Sequence, residues 1–138
     1  PTQSRIWWMI PERRERMQSE KPTVEDIFGM MRETMGSVPT AIEKAARVDE
    51  PLLYEHLRSR GYAMPAEAAL DEQTRTLLYL ASALAAGSQA CIKAMANKAR
   101  TQNIPAAKVL ETIHIVRFAL ATKVIGEAEP VFDALLTA

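Results

Sequence analysis

Residues 70–103, LDEQTRTLLYLASALAAGSQACIKAMANKARTQN, hold the only cysteine of the chain and its longest helical pattern. Leu77, Leu78, Leu80, Ala81, Leu84 and Ala85 recur at helical spacing among strong helix formers, and Asp71 stands where an N-cap belongs. The spacing predicts a helix over 72–86. Gly87 can take the left-handed conformation that ends a helix, and Ser88 is a residue type that opens another. Cys91 is thereby placed near the third position of a second helix. There the unpaired amides and the positive end of the helix dipole favour a thiolate.

The order Asp71-x-x-Thr74-Arg75, an apolar helix, Gly87 and a short polar turn into a cysteine-bearing helix resembles the AhpD-like, carboxymuconolactone decarboxylase family. The resemblance reaches back to the Gly36-Ser37-Val38-Pro39 turn and forward to Leu136, a family core over 36–136. It implies an AhpD-like helical bundle that assembles as trimers, or as hexamers made from dimers of trimers. In the peroxidase branch of that family the site is a Cys-x-x-Cys, a histidine four residues after the second cysteine, and a glutamate on the preceding helix. Here the corresponding stretch is Ser88-Gln89-Ala90-Cys91, with Met95 at the histidine position and Thr76 at the glutamate position. Only the second cysteine is kept.

With 138 residues the chain is read as one domain, large enough to bury roughly two thirds of the surface its unfolded form exposes. Its 17 basic and 17 acidic side chains cancel, which gives no field for nucleic acid or an anionic membrane. No apolar run approaches the ~18–20 residues of a membrane span, and a cytoplasmic protein is expected. One cysteine makes no disulfide within the chain, no Cys/His cluster has zinc spacing, and no metal or cofactor is called for.

Residues 1–22 form an N-terminal arm in this reading. Trp7 and Trp8 are followed by Met9, Ile10 and a run of alternating charge over 12–16, so the segment is a charged surface helix or an anchor onto another subunit. Thr23 and Asp26 fit a capping box, Ile27, Met30 and Met31 follow at helical spacing, and Gly36 supplies a stop. The methionines are expected to fill core. Asp49 is expected to cap a helix with Pro51 in its first turn, carrying Leu52, Leu53, His56 and Leu57 until Gly61 ends it. Asn103 and Pro105 separate the cysteine helix from an amphipathic one through Val109, Leu110, Ile113, Val116, Leu120 and Val124, with His114 on its flank. A last helix covers 129–136. The fold class is all-α, with about six or seven helices and no strand alternation. Apolar residues on two faces of several helices predict a homo-oligomer.

Three functional classes fit these residues. The first is a thiol peroxidase working through Cys91 with Ser88 beside it, without a two-cysteine relay. The second follows the decarboxylase side of the resemblance: a small carboxylate-bearing substrate held between subunits by Arg75 and Arg117, with His114 as proton donor. The third is a helical oligomer that binds a ligand or partner and catalyses nothing. If the Trp7-Trp8 arm anchors a neighbouring subunit, a chain lacking residues 1–17 sediments as a smaller species than the full chain; unchanged sedimentation and stability would remove the arm from the account.

Overall fold

The computed structural model describes residues 21–138, so the Trp7-Trp8 arm lies outside the described residues. Seven helices are present among them and no strand: α1 (Val24–Met35), α2 (Thr40–Val48), α3 (Glu50–Ala63), α4 (Glu72–Ala86), α5 (Gln89–Thr101), α6 (Ala106–Glu127) and α7 (Glu129–Leu136). The protein is all-α. The chain forms two compact units, one up to Arg75 and one from Thr76 to Ala138.

In the first unit α1 opens on the expected capping box. The Asp26 N–H donates to Thr23 Oγ1 (3.1 Å), and the Thr23 N–H donates to the Asp26 carboxylate (3.0 Å). It closes at Gly36, whose φ of 85° is left-handed and whose N–H donates to the Arg32 carbonyl. Between these stops, Ile27 and Met31 turn inward against Ala46 of α2 and Leu53 of α3, and Met30 is buried as well. The methionines of α1 are core filling. Tyr54 of α3 holds the start of the described chain: its hydroxyl donates to the Pro22 carbonyl at 2.6 Å, and Lys21 Nζ stands 3.9 Å from its ring centre. Burial first, then the carboxylates of Glu50 and Asp26, raise the pKa of that hydroxyl, so it keeps the proton it donates.

Two sequence expectations change here. Asp49 occupies the junction of α2 and α3, yet its side chain caps no amide; its own N–H donates to the Ala45 carbonyl at 2.8 Å. Nor does α3 end at Gly61. It runs on to Ala63, because the effective stop is Pro65, which disfavours a helical conformation at Met64 (φ −130°, ψ 67°).

The second unit is built on a helical hairpin. After Ala86 the chain reverses within two residues: Gly87 has a φ of 74°, its N–H donates to the Leu84 carbonyl (3.4 Å), and the Ser88 N–H donates to the Ala83 carbonyl (3.0 Å). This double bond pattern satisfies two of the carbonyls that a helix end leaves open. The far end of α5 repeats it around Asn103 (φ 55°), with N–H donation from Asn103 to Arg100 and from Ile104 to Ala99. Asn103 thus stops the helix as its residue type predicts. Leu80 and Ala83 on α4, and Met95 and Ala99 on α5, are buried.

α6 runs through the residues whose spacing predicts an amphipathic helix, and it is apolar on more than one face, as the sequence reading expects of several helices. No residue of α6 or α7 is buried. At about 100° per residue, Ile115, Phe118 and Ile125 fall on the side of the helix away from Ile113, Leu120 and Val124, which leaves it apolar on two sides.

Nothing lies within 4 Å of a Cβ placed on Gly87, so replacing it with alanine tests backbone conformation alone. Gly87→Ala should cost about 1 kcal/mol, the usual penalty for a left-handed alanine, read as a lowered denaturant midpoint with unchanged slope. An unchanged midpoint would show that the turn can be made without a left-handed residue.

Candidate functional site

The tight turn after α4 decides where the cysteine lies. Because α5 begins at Gln89, Cys91 is its third residue, as the sequence reading placed it. Ser88 takes the N-cap position with extended backbone (φ −84°, ψ 93°), but its side chain makes no capping bond. The Ser88 side chain therefore satisfies none of the first-turn amides of α5.

Across the hairpin, α4 buries Thr76, Leu80 and Ala83 on one face, and Tyr79 stands on the edge of that stripe. Its hydroxyl oxygen lies 3.4 Å from Cys91 Sγ, with either group able to donate. Cys91 is half-buried, and so is Tyr79. The sulfur is thus a hydrogen-bonded group on the shoulder of the hairpin.

Thr76 and Met95 occupy the positions where the resemblance implies a glutamate and a histidine. Thr76 is 2% exposed, and its Oγ1 donates to Gln102 Oε1 at 2.9 Å, tying the start of α4 to the end of α5. Met95 is buried. A hydroxyl, an amide and a thioether do not exchange protons near neutrality, so the interior of the hairpin holds polar structure but no acid–base pair at these positions.

The remaining sequence candidates are placed elsewhere. Arg75 Nη1 donates to the Pro65 carbonyl at 2.9 Å, and Asp71 caps the same turn by accepting from the Thr74 N–H at 2.8 Å. Arg75 therefore pins the connection leading into α4. His114 and Arg117 are three residues apart on α6, both exposed, and among the described residues no hydrogen bond joins either to Cys91. His56 is exposed on α3. Among the described residues no group of three or more His, Cys, Asp and Glu side chains is placed to hold a metal ion, and no helix is long and apolar enough to cross a membrane. Tyr79 and Gln102 were not legible as site residues. The available signal was that Tyr79 is the one aromatic in a run of Leu and Ala, three residues after Thr76 and so on the same side of the helix.

Residues 51–134 match the sequence profile of the carboxymuconolactone decarboxylase family. The chain belongs to that family. The matched span starts in the first turn of α3 and ends within α7, so it takes in the hairpin, Cys91 and all of α6, while α1, the Gly36 turn and α2 lie outside it. That is narrower than the 36–136 range over which the resemblance was drawn. No curated protein matches the chain. Within this carboxymuconolactone decarboxylase family member, the hairpin that carries the cysteine is closed by the Thr76–Gln102 bond instead of an ionisable pair.

Thr76→Val keeps the shape of the side chain and removes its donor, which leaves one acceptor fewer satisfied in a buried position. A loss of about 1–3 kcal/mol in unfolding free energy is expected, with Thr76→Ser largely restoring it. Equal stability of Thr76→Val and wild type would mean that Gln102 finds another donor without cost.

Proposed function

We propose that this family member is a one-cysteine thiol peroxidase in which Cys91 is the nucleophile and Tyr79 is the hydrogen-bond partner of its sulfur. The observation that carries the reading is the 3.4 Å approach of Tyr79 Oη to Cys91 Sγ at the first turn of α5. A phenolic O–H at this distance is placed to donate to the sulfur as it reacts, in the first turn of α5. In the reaction the thiolate attacks one peroxide oxygen and the O–O bond breaks. The other oxygen leaves as alkoxide or hydroxide and takes a proton from water. Sulfur gives up two electrons and becomes a sulfenic acid.

Ser88 stands where a resolving cysteine would be needed, so reduction requires an external low-molecular-weight thiol. One such thiol condenses with the sulfenic acid, releasing water and forming a mixed disulfide. A second attacks that disulfide, frees Cys91 and departs as the external disulfide. The cycle consumes thiols that the cytoplasm supplies, and that is the compartment we assign to it. The carboxylate reading through Arg75, His114 and Arg117 has no observation of comparable kind behind it, since Arg75 is engaged by Pro65.

Cys91→Ser should abolish peroxide consumption with an external thiol. Tyr79→Phe should lower its second-order rate constant about tenfold or more, given about 1.5–3 kcal/mol for a hydrogen bond to a charged group. Trapping of the sulfenic acid by a carbon nucleophile, followed by mass spectrometry, reports the intermediate directly. Consumption that is the same in wild type and Cys91→Ser, or absence of trapped product, would sink the peroxidase reading. Turnover of a small carboxylate that is lost in His114→Ala would replace it with the decarboxylase one.

A further inference from the structure

The first unit carries a cavity that the cysteine hairpin does not use, built from residues that all precede the matched family span. The left-handed backbone at Gly36 (φ 85°) ends α1 and leads the chain toward α2, and a space of about 490 Å³ opens beside that turn. Clefts that hold small ligands run from about 300 to 1,000 Å³. The size alone admits a small molecule.

The lining says which kind. Phe28 of α1 and Val38 of the turn are half-buried and pack from behind on the core of Ile27, Met31, Ala46 and Leu53, so they make an apolar wall that the fold holds in place. Around it stand three ionised side chains, Glu25 and Arg32 of α1 and Glu43 of α2. The guanidinium is already occupied, since Arg32 Nη1 donates to Glu25 Oε1 at 3.0 Å. Among the described residues Glu43 has no ion-pair partner. One carboxylate at the cavity is therefore uncompensated. Its surroundings have the same sign, because residues 21–75 carry seven basic and ten acidic side chains. An anion placed here would face two carboxylates beside a guanidinium that is engaged, whereas a cation meets a complementary field.

We propose that this cavity binds a small organic cation, with its ammonium group on Glu43 and an apolar or aromatic body against Phe28 and Val38. Ammonium N–H groups suit a carboxylate acceptor, and an aryl ring suits the face or edge of Phe28. A bare metal ion fits poorly: it offers nothing to the apolar wall, and among the described residues no group of three or more His, Cys, Asp and Glu is placed to hold one. The proposal stands apart from the thiol chemistry, since none of these side chains belongs to the Cys91 site.

The test is a ligand-observed NMR titration of the full chain with phenethylammonium at constant ionic strength. Saturable binding with a Kd on the order of 1 mM is expected for a ligand of that size. Phenylacetate, with a similar body and the opposite charge, and ethylammonium, with the same charge and no ring, should not saturate over the same range. Glu43→Gln should weaken binding about threefold and Glu43→Lys should abolish it. Position 43 is exposed on α2, so both variants should keep their helicity by circular dichroism. Glu55→Gln, which removes the same charge from α3 at the Arg58 pair and outside the cavity lining, should leave the Kd unchanged. Failure of phenethylammonium to saturate, saturation by phenylacetate with the same Kd, or a Kd indifferent to both changes at Glu43 would overturn the proposal. Equal weakening by Glu43→Gln and Glu55→Gln would overturn it too, and would assign the binding to the general field of the unit.

Discussion

Everything distinctive in the second unit depends on one left-handed residue. Gly87 lets the chain leave α4 and enter α5 in two residues, with two of the carbonyls at the break satisfied by the Gly87 and Ser88 amides. A longer connection would let the two helices drift in register. The short one locks Cys91 into the first turn of α5 and sets it opposite the edge of α4 that carries Tyr79. Local backbone chemistry thus specifies a tertiary contact between side chains twelve residues apart.

At positions 76 and 95 the interior of the hairpin is neutral. Where the resemblance implies a carboxylate and an imidazole, the chain has placed a hydroxyl bonded to an amide and a buried thioether. Each is cheap to bury compared with the charged group it stands in for, because a satisfied neutral hydrogen bond avoids the desolvation that ionised side chains suffer. The exchange favours stability over proton transfer. Beside the sulfur stands a phenol, that of Tyr79.

Much of this is legible in the sequence, and for physical reasons. Helix boundaries that rest on caps with one strong candidate, such as Thr23 with Asp26, Gly87 and Asn103, follow from local sequence because the competing conformations are few. The extent of α3 was misjudged because a glycine is only permissive, whereas the proline four residues later is prohibitive. The apolar pattern of α6 was legible, but periodicity reports which residues align and not whether anything covers them. Tyr79 escaped notice for a different reason: its role arises from a contact across the hairpin, and no feature of α4 taken alone distinguishes a tyrosine that packs from one that reaches a sulfur. Arg75 illustrates the converse, a residue whose charge suggested a ligand while its geometry serves the backbone of the preceding connection.

Both ends of α5 close with the same pair of backbone bonds, one around Gly87 and one around Asn103, so the helix has a fixed number of residues between two hard stops. Any residue inserted between them turns the downstream part of α5 by about 100° relative to α4 and breaks the pairing of Thr76 with Gln102. Substitutions in this stretch can be absorbed one side chain at a time, but a change of length cannot. Across evolution, then, the hairpin should drift in composition while its residue count stays constant, and length variation should collect in the connection around Pro65, where the backbone follows no ladder.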